Sequence, residues 1–187
     1  MNSDKLDRRV QYTHMVLKQS LLDLMASQPI RSITVTEICD RANINRGTFY
    51  VHYADQFDLL TQIEDELDDV IQTTLAKRLP NSDIIVEILR IIADHSSLCQ
   101  VLFGEYGDAA FLKKIMYNAH DQFIEQWSTK VSPADVGQLN RFYIFIANGI
   151  SAIIQDWLQS GAKETPEQLA LFIQKTINRG LSGFASG

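Results

Sequence analysis

Residues 34–53, TVTEICDRANINRGTFYVHY, decide the fold. They read as two short helices joined by a tight turn. Thr34 stands three residues before Glu37, the spacing of a capping box that starts a helix by satisfying its first N–H groups. Val35, Ile38 and Ala42 recur at +3 and +4 and give that helix one buried stripe. Asn43-Ile44-Asn45 breaks it: Asn43 tolerates turn geometry, Ile44 plugs the angle, and Asn45 caps the next helix. The second helix, Arg46 to Tyr53, is expected to bury Phe49 and Tyr53. Its other residues, Arg46, Gly47, Thr48, Tyr50, Val51 and His52, make it short, poor in acids and rich in hydrogen-bond donors. That is the make-up of a helix that enters the major groove of DNA.

Outward from this stretch everything long reads at helical spacing, so the expected fold class is all-α. Val10, His14, Leu17, Leu21 and Leu24 form the stripe of a first helix that Pro29 stops. A long fourth helix is expected from Asp55 to about Leu79, with Phe57, Leu60, Ile63, Leu67, Ile71 and Leu75 on its buried face. Asn81 or Ser82 is read as the cap of a helix to about His95. A shorter piece carries Leu98 to Phe103, and a further helix spans about 109–130. Ser132-Pro133-Ala134-Asp135 is a second capping signature, opening a helix to about Ser160 that Gly161 ends. Thr165-Pro166-Glu167-Gln168 opens a last helix to about Arg179, with a Gly-rich tail behind it.

Net charge over the 187 residues is −6, which by itself disfavours nucleic acid. The distribution reverses that inference. Residues 1–53 carry seven Lys/Arg against five Asp/Glu, a net of +2, and the remainder carries −8. A mildly basic head on an acidic body suits a protein that touches DNA at one end. The acidic run at 64–69 reads as a solvated helix face. Cys39 and Cys99 are far apart and form no CxxC motif. No apolar run approaches a membrane span, and the N-terminus lacks the core of a signal peptide. A reducing, cytoplasmic setting is expected.

The words V-T-E-I-C-D-R-A-N-I-N-R-G-T-F-Y-V-H-Y, followed by Asp55-Gln56-Phe57-Asp58-Leu59-Leu60, strongly resemble the TetR family of bacterial transcriptional regulators. The match covers roughly residues 8–65. Asn148-Gly149-Ile150, Ile153-Ile154 and Trp157-Leu158 look like a C-terminal domain type of the same family. The resemblance implies a helix-turn-helix DNA-binding domain at 1–54 and a helical effector-binding and dimerisation domain at 55–187. It implies that Arg46, Gly47 and Val51 face base edges, that Thr48, Tyr50 and His52 meet phosphates, and that Thr34 and Thr36 touch the backbone across the groove. Asn45 and Gln56 complete the expected DNA-contact set. The family usually places a Lys where Gln56 stands. A neutral Gln releases no counterion, so the salt dependence should be shallower by about one phosphate charge per subunit.

The last two long helices carry more apolar surface than one core face needs. A homodimer built as a four-helix bundle accounts for it, with Ile150, Ile153, Ile154, Trp157, Phe172, Ile173 and Ile177 expected at the interface; an ordinary buried helix is the alternative. Phe103, Tyr106, Tyr117, Asn118, Gln122, Phe123, Tyr143 and Asn148 are the expected effector-pocket residues, although core packing and a dimer interface account for most of the aromatics. His95 and Cys99 at i, i+4 supply only two metal ligands, so no metal is expected. His14 and Cys39 read as core residues. No cofactor fingerprint and no catalytic constellation is present, so an enzyme is not expected. The expected function is a homodimeric repressor that reads a palindromic operator in double-stranded DNA and is released by an unknown small-molecule effector, with no membrane partner. An activator of the same fold, or a helical interaction module that has lost DNA binding, are the alternatives.

Overall fold

The computed structural model describes residues 3–130 and 136–183. Among the described residues there are nine α-helices, a short 3-10 turn at Ile30–Ser32 and no strand. The helices are α1 (Ser3–Met25), α2 (Val35–Ala42), α3 (Arg46–His52), α4 (Gln56–Leu75), α5 (Asn81–Asp94), α6 (Ser96–Leu102), α7 (Ala109–Ser128), α8 (Val136–Gln159) and α9 (Pro166–Ser182). The all-α expectation holds. The capping signature at Ser132–Asp135 and the end of the tail lie outside the described residues.

Two compact units are present. The first comprises the chain through Leu67 together with Val101–Asp108; the second comprises Asp68–Gln100 and the chain from Ala109 onward. The helices α4 and α6 each contribute to both units.

In the first unit, Leu17, Leu21 and Met25 of α1 are fully buried, with Ile38 and Cys39 of α2, Phe49 and Tyr53 of α3, and Leu59 and Ile63 of α4. Each such burial stabilises by about 1.5–3 kcal/mol before entropy is counted. The α1 stripe closes on Met25, with Leu24 half-buried. The expected face of α4 needs one correction. Phe57 is 47% exposed, and Leu59 is buried in its place. Leu59, Ile63, Leu67, Ile71 and Leu75 recur at +4, and Phe57 stands two residues before that row, about 200° around the helix. Gly107 lies where an added Cβ would come within 2.0 Å of the Leu102 carbonyl, so only glycine fits the loop after α6.

In the second unit α7 packs on α8 and α5 on α9. The rings of Phe123, Trp127, Phe142 and Tyr143 pack at centroid distances of 5.3–6.1 Å. Arg90 ties α5 to α9 by donating to Glu167 at 2.8 Å, and also holds Glu87 at 2.6 Å. The α4 helix stops at Leu75, four residues short of the expected end. The chain turns through Arg78 at φ 48°, and the freed Leu79 carbonyl accepts from the side-chain amides of Gln122 and Gln126 at 3.2 and 3.0 Å. Gln126 also accepts from the Asn81 backbone N–H at 2.8 Å. A glutamine of α7 therefore does what Asn81 or Ser82 was expected to do, and neither caps α5 through its side chain. Thr165 and Gln168 form the expected capping box of α9, with Pro166 at the first position. That helix runs three residues past Arg179, through Gly180, where an added Cβ would meet the Phe142 ring at 2.5 Å.

Candidate nucleic-acid interface and effector cavity

The turn between α2 and α3 forms as its residues dictate. Thr34 Oγ1 accepts from the Glu37 N–H at 3.2 Å, and the Glu37 carboxylate accepts from the Thr34 N–H at 2.8 Å. The Thr34 hydroxyl also donates to Glu37, and this bond first and the backbone bond second hold the Glu37 carboxyl below its ordinary pKa. Asn43 sits in the left-handed region at φ 53°. Asn45 Oδ1 accepts from the Gly47 N–H at 2.7 Å and starts α3.

The start of α4 follows the same logic. Asp55 Oδ1 accepts from the N–H groups of Phe57 and Asp58 at 2.8 and 2.9 Å, and Asp58 Oδ2 accepts from the Ala54 N–H at 2.8 Å. The two acids beside Gln56 are thus engaged in capping, where the helix dipole favours their charge. The Asp-x-x-Asp spacing at 55–58 is the sequence signal for this cap.

The outer face of α3 carries Arg46, Gly47, Tyr50 and Val51, the last two 52% and 76% exposed. Thr36 and Asn45 are exposed beside them, while Thr48, His52 and Gln56 are half-buried. Arg46 forms no ion pair among the described residues, whereas Arg41 is paired with Asp23 at 3.1 Å and Lys18 with Glu66. The hydroxyl hydrogen of Thr34 is committed to Glu37, which leaves Thr36 as the freer donor at this end of α2. An added Cβ at Gly47 would meet Asn45 Oδ1 at 3.1 Å, so glycine suits both the cap and a close approach of backbone to a partner.

Behind this face, His14 of α1 shares a hydrogen bond with the Tyr53 hydroxyl at 2.5 Å, and its ring lies 4.6 Å from that of His52. His14, expected as a packed core residue, is half-buried and hydrogen-bonded, a polar strut at the edge of the core. Cys39 is buried, and that burial pushes its thiol pKa up, as expected of an inert core cysteine.

The second unit holds a small cavity of about 60 Å³ with almost wholly apolar walls from α4, α5, α7, α8 and α9. Of the expected pocket residues, Phe123 and Tyr143 line it. Tyr117, Tyr143 and Asn148 line an open groove between α7 and α8. Asn118 bonds Asp68, and Gln122 holds Leu79, so both have structural partners. Phe103 and Tyr106 belong to the first unit. The wall residues outside that set are Trp127 and otherwise apolar unbranched or branched side chains, among them Ile115, Met116, Ala119 and Ala147; nothing in a sequence separates such a wall from ordinary core.

Of the expected interface residues, Ile154, Trp157, Ile173 and Ile177 are buried within the chain's own core. Ile150 and Ile153 are half-buried and Phe172 is 56% exposed. Phe145 (73% exposed) and Ile144 stand out from α8, and Leu171 stands beside Phe172 on α9. His95 is exposed while Cys99 is fully buried, its thiol raised to about 12 by that burial. Among the described residues no group of three His, Cys, Asp or Glu could hold a metal ion, and no helix is long and apolar enough to cross a membrane.

A three-helix head with an exposed α3, joined through α4 to further helices, defines a helix-turn-helix regulator. A family model described as the transcriptional regulator C-terminal region, of the TetR type, matches residues 81–179. The chain belongs to the TetR family of transcriptional regulators. It is 34% identical over 175 residues to the uncharacterized HTH-type transcriptional regulator YxbF of Bacillus subtilis (strain 168); that match covers 87% of this chain and 44% of the relative, so the chain spans less than half of that protein's length. A TetR regulator from Streptococcus agalactiae 2603V has a similar structure, with TM-score 0.68 and 21% identity over 94% of this chain and 98% of that one. The dihydroxyacetone kinase operon activator DhaS is similar at TM-score 0.62 and 21% identity, over 93% of this chain and 98% of its own. These structural likenesses concern the fold.

Proposed function

We propose that this chain is a homodimeric repressor that binds a palindromic DNA operator through α3 and is released by a small molecule held in the second unit. The observation that carries the reading is the outer face of α3. Arg46, Gly47 and Val51 stand free to meet base edges, and Tyr50 and Thr48 to meet phosphates, on a helix fixed at both ends by Asn45 and by the Tyr53–His14 bond. Thr36, Asn45, His52 and Gln56 flank that face, and the division into a DNA-binding head at 1–54 and an effector and dimer domain at 55–187 belongs to the same proposal. The exposed apolar row of α8 and α9, Ile144, Phe145, Leu171 and Phe172, with half-buried Ile153 beside it, supports self-association, because a single chain gains nothing by leaving it in water. Two copies would set their α3 helices in successive major grooves about 34–36 Å apart. Such a protein works on DNA inside the cell. The test is a gel-shift titration on a selected palindrome whose half-sites are then moved about half a helical turn, roughly 5 base pairs, apart. Binding should collapse on the shifted site; equal affinity for both would contradict the dimeric reading.

A second reading, an activator, draws on the role of DhaS as an operon activator and on the exposed acids Asp65, Glu66 and Asp69 of α4 as a contact surface. A footprint beside a promoter instead of across it would favour it.

A further inference from the structure

We propose that the second unit takes a molecule with an aliphatic chain and a carboxylate head, the chain inserted between Met116 and Tyr143 into the small apolar cavity and the head left in the open groove beside Lys113. The proposal rests on the reading of this chain as an effector-controlled regulator and names the chemical class of the effector.

The cavity walls are all aliphatic or aromatic, with Leu75, Ile88, Ile115, Phe123 and Ile150 among them. The polar atoms of the lining side chains are the Tyr143 hydroxyl, which donates to the Met116 carbonyl at 2.5 Å, and the Trp127 indole N–H, and the surface facing the cavity is almost wholly apolar. A space of about 60 Å³ with an almost wholly apolar surface does not hold ordered water, and a polar group placed there would lose its solvation with little compensation. Only hydrocarbon fits. The cavity also has a thin wall. Met116, Tyr143 and Ala147 line both it and the groove of about 680 Å³ between α7 and α8. Methionine is unbranched and changes shape at low cost. Rotation of Met116 joins the two spaces into one site of the size that small-molecule pockets have.

The groove, unlike the cavity, is polar at its rim. Lys113 and Gln155 line it and have no hydrogen-bond or ion-pair partner among the described residues, whereas Asn148 and Ser151 donate to carbonyls of their own helix. His120 is held between Asp121 at 2.8 Å and Asn140 at 3.0 Å. Lys113 therefore supplies the charge that selects an anionic head, and Gln155 a neutral donor. Ile144, Asn148 and Ala152 belong both to the groove and to the outer side of α8, so a bound head lies beside the row proposed for self-association.

The chain has two tryptophans, and they separate the test cleanly. Trp127 lines the cavity and also borders the groove at Pro80 and Lys130, so the Ala119→Leu variant assigns its quenching to the cavity, and Trp157 lines a separate groove. In the full chain carrying Trp157→Phe, an omega-brominated dodecanoate should quench Trp127 fluorescence saturably below its critical micelle concentration. Ala119→Leu, which fills the cavity, should weaken that binding by about tenfold or more. Lys113→Gln should weaken the carboxylate by roughly threefold and leave the matching bromoalcohol unchanged. Met116→Ala, which opens the wall, should tighten binding, and it stands in if Ala119→Leu does not fold. Quenching that is absent or unsaturable, or that ignores Ala119→Leu and Met116→Ala alike, overturns the proposal. DNA binding by the same preparations tells the two readings apart. Retained DNA binding with no quenching sinks the ligand class alone, and saturable quenching with no DNA binding sinks the regulator reading alone.

Discussion

Nδ1 of His14, on α1, lies 2.5 Å from the hydroxyl of Tyr53, the residue that ends α3. The bond crosses 39 residues of sequence and ties the helix proposed to read DNA to the helix behind it. Burial first, then the Glu66 and Asp58 charges, push the Tyr53 pKa up to about 12, so it keeps its proton at any physiological pH. Burial first, then His52 and Lys18, lower the pKa of His14, against a smaller opposing effect of Glu66. A histidine lowered in the folded state is protonated first in the unfolded chain. Stability of the head is therefore full above the ordinary value near 6.5 and falls as pH drops from there toward the lowered value. Melting curves at about pH 7.5 and about pH 5.5 should show this loss in the wild-type protein and a flatter dependence in His14→Phe. Parallel dependences would remove the role of His14.

Two substitutions on α3 separate its jobs. Arg46→Ala should relax base preference at one operator position, at a cost of about 1–3 kcal/mol on the preferred sequence. Tyr50→Ala should weaken binding by a similar factor on all sequences. Affinities measured across a panel of operator variants decide this: a uniform loss for Arg46→Ala would make it a phosphate contact, and unchanged affinity for Tyr50→Ala would remove it from the interface.

Gln56 opens α4 between two acids that are engaged in capping. Gln56→Lys should add about one released counterion per subunit, steepening the plot of log K against log salt by roughly 0.9 per subunit. An unchanged slope would place residue 56 away from phosphate.

A Cβ on Gly180 would come within 2.5 Å of the Phe142 ring. Gly180→Ala should therefore cost about 1–3 kcal/mol through overpacking. Adding Phe142→Leu should recover part of it, which chemical denaturation of the single and double variants would show. A stabilised Gly180→Ala would mean that the ring moves freely.

Asp68 is buried on α4 and accepts from Gln72 at 3.0 Å and from Lys114 at 2.9 Å. Burial opposes its charge, but the bonds from Gln72, Lys114 and Asn118 and the Lys114 charge together prevail and hold the carboxyl below its ordinary pKa. The stability it contributes is present above the ordinary carboxylate value and is lost as pH falls through the lowered one. Asp68→Asn should cost about 1–2 kcal/mol near neutrality, and the difference from wild type should shrink below about pH 4. A difference constant with pH would contradict the ionised pairing.

The parts of this molecule that were legible in its sequence are those decided within one helical turn. The Thr34–Glu37 and Thr165–Gln168 boxes, the Asn45 cap and the Phe49 and Tyr53 anchors stand as their spacing requires. What was not legible depends on partners far along the chain. Phe57 and Leu59 are both apolar, and only the packing surface of α4 selects Leu59. Gln126, 45 residues from Asn81, takes over the capping of α5. On α8 and α9 apolar residues surround the helix, so periodicity did not reveal that Ile154, Trp157, Ile173 and Ile177 turn inward while Phe145 and Phe172 turn out. The cavity is lined by the same residue types as the core, and its aromatic candidates were for that reason only partly placed.

The measurement that bears most directly on the central claim is selection of genomic DNA fragments by the purified chain at two salt concentrations. The account predicts enrichment of one palindrome, with half-sites about one helical turn apart and affinity that falls with salt. No enrichment at the lower salt, with the protein folded and dimeric, would contradict the account and leave a helical interaction protein that no longer reads DNA.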